Sequence, residues 1–250
     1  MATIDIRDAT SDDFATMALI AAAGDSEADQ LYLSFVQSAG TLRVAIDAGS
    51  LLGFGGVVDI GDDTTMVTDL FIAPPARGRG IGGRLLAHLL DGTAKRMTFS
   101  SKHAAALPAY ERAGMTPSWR LLYLRGRAGP PADNRASATA PATPWRRSRP
   151  ELAAYYERRG GDIRDNAALI ERDGTTFIAR LQDERGADAF DELLASLPSG
   201  SAVTCCSPEN SPVASRARRR GFEVFDHDVF CCSPGVALTD DLHCLDPGLC

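Results

Sequence analysis

Two spacings of apolar residues alternate along the chain. Residues 3–7 alternate as a short strand, and Thr10 or Ser11 followed by Asp12 and Asp13 signals a helix start that runs to about residue 23. Residues 27–38 set Leu31, Leu33, Phe35 and Val36 on a second helix. Runs at 41–47, 51–60 and 64–72 read as an antiparallel series, because residues 47–50 (Asp-Ala-Gly-Ser) and 61–63 (Gly-Asp-Asp) have the composition of hairpin turns. Helical spacing then returns with Leu85, Leu86, Leu89 and Leu90, followed by a strand at 96–101, a helix at 104–113 and a strand at 118–125. The order β-α-α-β-β-β-α-β-α-β predicts a mixed α/β (α+β) domain over residues 1–126.

The pattern then breaks. Residues 127–149 carry Pro130, Pro131, Pro141 and Pro144 among Ala, Ser and Thr, a composition with little capacity to bury anything, and predict a linker. Beyond it the chain repeats itself weakly. An ungapped shift lays Gly114 and Met115 on Gly221 and Phe222, His103 on Asn210, and 86–90 on 193–197. A second, shorter copy over 150–235 is therefore expected, with a helix at 150–160, strands at 167–172, 175–181 and 202–206, a helix at 187–197 and another ending at Gly221, before a tail at 236–250.

Chemistry concentrates in residues 68–86, TDLFIAPPARGRGIGGRLL. A strand meets two prolines, and Arg77-Gly78-Arg79-Gly80-Ile81-Gly82-Gly83 opens the next helix. Glycines let a backbone approach a ligand closely, and the first turn of a helix has N–H groups without internal partners, so the stretch makes an anion cradle. Arg77 and Arg79 add donors suited to a diphosphate. A P-loop would need Lys-Ser/Thr after its last glycine, where Arg84-Leu85 stand. A dinucleotide-binding fingerprint fits Gly78, Gly80 and Gly83, but the next strand ends without the acid that would hold a ribose.

The stretch resembles the acetyl-CoA loop of the GNAT family of N-acetyltransferases, Arg/Gln-x-x-Gly-x-Gly/Ala, through Arg77, Gly80 and Gly82, and the flanking Leu-x-Ile-x-Pro and Ile-Gly-x-x-Leu-Leu match too. Residues 103–115, HAAALPAYERAGM, are similar to a second family motif, with Ala106, Tyr110 and Gly114 in place and His103 where the family usually has Asn. The resemblance implies the GNAT fold for residues 1–126, a mixed central sheet flanked by helices, followed by a degenerate GNAT-like copy. It also implies acetyl-CoA as co-substrate, held by the backbone of 79–83 and the side chains of Arg77 and Arg79, with Gly78, Ile81, Gly82 and Gly83 shaping the loop. Pantetheine would pair with the strand edge where 70–73 splays from 96–101, and an N–H near Phe71 or Ile72 would polarise the acetyl carbonyl. Tyr110 takes the position of the general acid beside the CoA sulfur. His103 caps the following helix or bonds to pantetheine, and is a second candidate base.

Asp69 alternates with Leu70 on the strand, so its carboxylate either faces the substrate cleft as general base or is a solvated strand-edge acid. Asp59, Asp62 and Asp63 read as a solvated hairpin before they read as an acidic rim for a cationic amine. In the repeat register Arg77 falls on Glu184, Gly80 on Ala187, Gly82 on Ala189 and Tyr110 on Ala217, so the second copy is expected not to bind CoA.

The 250 residues, 44% hydrophobic and 24% charged, suffice for an ordinary core. A net charge of −7 argues against nucleic acid as partner and is compatible with a cationic substrate. The polar residues 1–8 and the lack of a long apolar run predict neither a leader nor a membrane span, hence a cytoplasmic address. The six cysteines (Cys205, Cys206, Cys231, Cys232, Cys244, Cys250) lack CxxC spacing and read as reduced thiols; a zinc site with His243 is the weaker reading, and no metal is expected. The expectation is an acetyl-CoA-dependent N-acetyltransferase acting on a primary amine of a small molecule or peptide, with an acyl-CoA-binding sensor without turnover as the alternative. Oligomeric state is left open, a homodimer included.

Overall fold

The computed structural model describes residues 4–129 and 144–249. Most of the proline-rich linker, like Cys250 and residues 1–3, therefore lies outside the described residues. The elements run β1 (Asp5–Asp8), α1 (Phe14–Ala22), α2 (Gln30–Ala39), β2 (Gly40–Asp47), β3 (Ser50–Asp59), β4 (Thr64–Ile72), α3 (Ile81–Leu89), β5 (Lys95–Ser100), α4 (Ala106–Arg112) and β6 (Thr116–Arg127). There follow α5 (Trp145–Ser148), α6 (Pro150–Arg158), β7 (Asp162–Ile163), β8 (Ala167–Arg172), β9 (Thr175–Gln182), α7 (Ala187–Ser196), β10 (Ala202–Pro208), α8 (Pro212–Arg219), β11 (Glu223–Cys232) and β12 (Leu242–Leu245).

Two compact units result: Met1–Ser118 with Phe230–Val236, and Trp119–Val229 with Ala237–Cys250. The boundary drawn at residue 126 thus falls inside β6, and the segment 230–236 belongs with the first unit.

In the first unit the strands follow the order β1-β2-β3-β4-β5, with the end of β11 next to β5, where the Ser233 amide donates to the Arg96 carbonyl at 2.9 Å. β1 to β4 are antiparallel neighbours and β4 runs parallel to β5. Consecutive glycines of β3 reveal both faces of this sheet. A Cβ on Gly55 would meet Leu89 of α3 at 2.7 Å, and one on Gly56 would meet Val36 of α2 at 2.8 Å. Since successive strand residues point to opposite sides, α3 covers one face and α2 the other. On α3, Ile81, Leu85, Leu86 and Leu89 are all buried, at the helical spacing read from the sequence. Truncating such a leucine to alanine costs about 2–5 kcal/mol. Helix α2 starts at Gln30, three positions later than its apolar pattern suggests, because Asp29 caps it by accepting the Tyr32 amide at 2.8 Å.

In the second unit β6 pairs antiparallel with β10, β10 runs parallel to β9, and β9 and β8 are antiparallel. The apolar sides of α7 (Phe190, Leu193, Leu194) and α8 (Val213, Ala214, Ala217) pack with Leu122, Leu124 and Val203. The order β8-β9-α7-β10-α8-β11 repeats β3-β4-α3-β5-α4-β6, but not in ungapped register. β9 meets β10 from Thr175, as β4 meets β5 from Thr64, and the turn into the helix, residues 183–186, is half as long as residues 73–80. The region 236–250, expected as a tail, contains β12, which pairs with β9.

Candidate active site

The site begins with the parting of two strands. β4 and β5 pair only through Thr64, Thr65 and Met66 against Lys95, Arg96 and Met97, although both strands continue. A bulge in β4 opposite Gly56/Val57, at Thr68, adds twist where the ladder ends, and the Thr98 hydroxyl donates to the Val67 carbonyl at 3.0 Å across the start of the gap. Beyond that point the β5 side of β4 is an open edge. Ala73 N–H donates to Leu52 on β3, so by alternation the Phe71 amide faces β3, whereas the Leu70 and Ile72 amides face the gap. Of the two amides proposed from sequence, Ile72 is therefore the one on the open side.

The turn that follows leads into an uncapped helix start. Gly78 and Gly80 have φ of 78° and 75°, left-handed values that favour glycine, and Gly80 is the N-cap of α3 without a side-chain cap bond. A Cβ added at Gly78, Gly80 or Gly83 would meet nothing within 4 Å, and one on Gly82 would rest 3.6 Å from Ile72. The first amides of α3 thus face open space beside the strand edge, an arrangement that fits a diphosphate joined to an extended arm. Ile81 itself is buried in the core with Ala45, Ala76 and Leu85, so only its backbone is available to a ligand. Arg77 lies over the edge, its Nε donating to the Ile72 carbonyl at 3.1 Å, while Arg79 pairs with Asp47 at 2.9 Å.

Asp69 sits just past the bulge, 7% exposed. Its Oδ2 accepts from the Tyr32 hydroxyl and from the Thr68 hydroxyl, each at 2.8 Å. Burial raises its pKa from an ordinary 3.8 to about 6, against the two hydroxyls, which lower it. It is a buried strand residue and not a solvated edge acid. The space it occupies depends on Gly56, whose Cβ would meet Thr68 Oγ1 at 2.7 Å and Asp69 Oδ2 at 3.3 Å.

Across the gap, α4 packs on β5 and carries Tyr110, 8% exposed. His103 is exposed and its Nδ1 accepts the Ala105 amide at 3.2 Å in the turn ahead of α4, which starts two residues later than expected, with Ala105 as N-cap and no side-chain cap bond, so His103 does not cap it. Asp59, Asp62 and Asp63 form the hairpin turn, with the Asp59 carboxylate accepting the Gly61 amide and positive φ at Asp62 and Asp63. Sequence reasoning did not reach Tyr32, Thr68 or Gly56. The Gly55-Gly56 pair inside an apolar strand was a signal that something needs room there.

Parted parallel strands followed by a glycine-rich, uncapped helix start narrow the comparison, and the sequence profile of the Acetyltransferase (GNAT) family matches residues 5–115. Residues 5–115 are a GNAT-family acetyltransferase domain. Acetyl-CoA is the co-substrate of the GNAT family. Mycothiol acetyltransferase of Rhodococcus opacus is 34% identical over 84 residues, which make up 33% of this chain and 28% of that one, so the chain matches less than a third of that relative's length. Two solved structures share the fold along nearly the whole chain. A candidate acetyltransferase from Pyrococcus horikoshii superposes with a TM-score of 0.72 at 17% identity, covering 98% of this chain and 95% of that one. A GCN5-related N-acetyltransferase from Sphaerobacter thermophilus gives 0.61 at 14% identity, covering 94% and 98%.

The second unit handles the corresponding place differently. β9 and β10 also part, after Ile178 and Cys205, but β12 enters and pairs with β9 at Arg180, Leu181 and Gln182. The Ser207 hydroxyl on β10 donates to the His243 carbonyl at 2.6 Å, fastening β12 from the other side. At the helix start Pro212 and His243 lie 3.1 and 3.2 Å from where a Cβ on Gly186 would be. Among the described residues no group of three or more His, Cys, Asp or Glu is arranged to hold a metal ion, and Cys205, Cys206, Cys232 and Cys244 are free thiols. No helix among them is long and apolar enough to cross a membrane.

Proposed function

We propose that this protein is an acetyl-CoA-dependent N-acetyltransferase that passes the acetyl group directly to a primary amine of a small molecule or peptide, in the cytoplasm, with all chemistry in the first unit. The observation that carries this reading is the open edge of β4 beside the uncapped start of α3, with a buried carboxylate on the same strand.

Each residue then has a task. Amides of residues 79–83 with the side chains of Arg77 and Arg79 hold the diphosphate, and Arg79 is free to change partner because an exposed pair such as Arg79–Asp47 contributes at most about 1 kcal/mol. The Ile72 amide donates to the acetyl carbonyl oxygen, where negative charge develops. Asp69, ionised above about pH 6, accepts the proton that the amine gives up as its nitrogen bonds to the acyl carbon. Tyr110 gives its phenolic proton to the sulfur as the carbon–sulfur bond breaks, and recovers it from solvent. The second unit, its gap filled by β12 and its turn shortened, is a degenerate copy that supports the first without binding CoA.

The test is release of CoA, followed with a thiol reagent across a panel of amines, for the wild type and for Tyr110→Phe and Asp69→Asn. Amine-dependent release that both substitutions suppress is the expected result. Binding of acetyl-CoA without release on any amine would replace the enzyme by an acyl-CoA sensor.

A further inference from the structure

We propose that Tyr32 is a positioning residue, which together with Thr68 turns the Asp69 carboxylate so that Oδ1 is the oxygen presented to the amine; this rests on the reading of Asp69 as general base. Both hydroxyls donate to Oδ2, at 2.8 Å each, and Oδ1 has no hydrogen bond among the described residues. The two donors come from different elements, Tyr32 from α2 and Thr68 from the bulge in β4, so the carboxylate is held against rotation from two directions. Gly56 keeps the third direction clear, since a side chain there would strike Thr68 Oγ1 and Val36.

The electrostatics agree with a tuned group. The groups acting on Asp69 are its own burial, the Thr68 hydroxyl and the Tyr32 hydroxyl, with no charged side chain among them. Burial lifts the pKa and the hydroxyls pull it back, so removing one donor lets it climb further. Tyr32 thus links the base to α2. An amine that displaced this helix would disturb the base as well, a coupling between substrate fit and proton transfer.

The direct test is a pH titration of the Asp69 carboxyl carbon by NMR, assigned with Asp69→Asn, in the wild type, Tyr32→Phe and Thr68→Val. Loss of either donor is expected to raise the midpoint by about half to one pH unit, and the acid limb of kcat/KM for any accepted amine should move equally. Thr68→Ser, which keeps the hydroxyl, should leave both in place. A Tyr32→Phe protein that is folded by circular dichroism and titrates Asp69 as the wild type does would overturn the proposal. An unchanged kcat in Asp69→Asn would instead remove Asp69 as base, an outcome separate from the NMR result.

Discussion

The two parallel strand pairs of this chain, β4/β5 and β9/β10, start alike and end differently. Both pair over three or four residues and then diverge. Divergence alone leaves unpaired backbone groups, and a buried polar edge must find partners. In the second unit the partner is built in: β12 lies against β9, and Ser207 and His243 join it to β10. In the first unit no strand fills the gap among the described residues, and the turn beyond it is longer and opens onto free helix amides. The difference teaches that a strand gap stays open to a ligand only where the chain supplies no strand to fill it.

The sharpest way to break this contrast is Asp69→Asn. If the first gap is the catalytic one, kcat should fall by about 10²–10⁴-fold with little change in acetyl-CoA affinity, as read from steady-state kinetics and calorimetry.

The same residue gives a pH signature in stability. The folded state holds the Asp69 proton up to about pH 6, the unfolded chain only to 3.8, so between these values the folded state binds more protons. Stability therefore declines as pH rises through that window, by roughly 3 kcal/mol at most. Denaturant melts of Asp69→Asn at pH 4 and 7 should show that part of the slope gone, with the variant more stable than the wild type at pH 7.

A matched pair of substitutions compares the two helix starts. Gly80 and Gly186 both have positive φ, 75° and 54°, so valine at either should destabilise by about 1–2 kcal/mol. Gly80→Val should also weaken acetyl-CoA binding at least tenfold, whereas Gly186→Val should leave it unchanged; in calorimetry the wild type should take one acetyl-CoA per chain. Two equivalents would erase the distinction between the units. The smallest effect is expected from Asp47→Ala, which frees Arg79 from an exposed pair and should tighten acetyl-CoA binding by no more than about fivefold.

What could be read from the sequence follows the range of the interactions involved. The strands and helices of the first unit were legible because alternation and helical spacing are local, and the glycines and arginines of 77–83 carry their chemistry in the order in which they stand. Asp69 was legible only as one of two possibilities, since its burial depends on Tyr32, which is 37 residues away and reaches it through a helix cap at Asp29. The ungapped register of the repeat hid the shortened turn, because α7, β10 and α8 dominate the match. β12 was missed for a related reason: LHCL is too short to show a period, and its place depends on a gap formed by residues far upstream.

The segment Phe230–Val236 belongs to the unit formed by the first 118 residues, and it lies beside β5. During synthesis the first unit must therefore wait, with β5 as a bare border open to mispairing, until residues 230–236 have left the ribosome. A fragment cut after residue 126 would contain every residue assigned a chemical task and still lack the strand that seals its sheet.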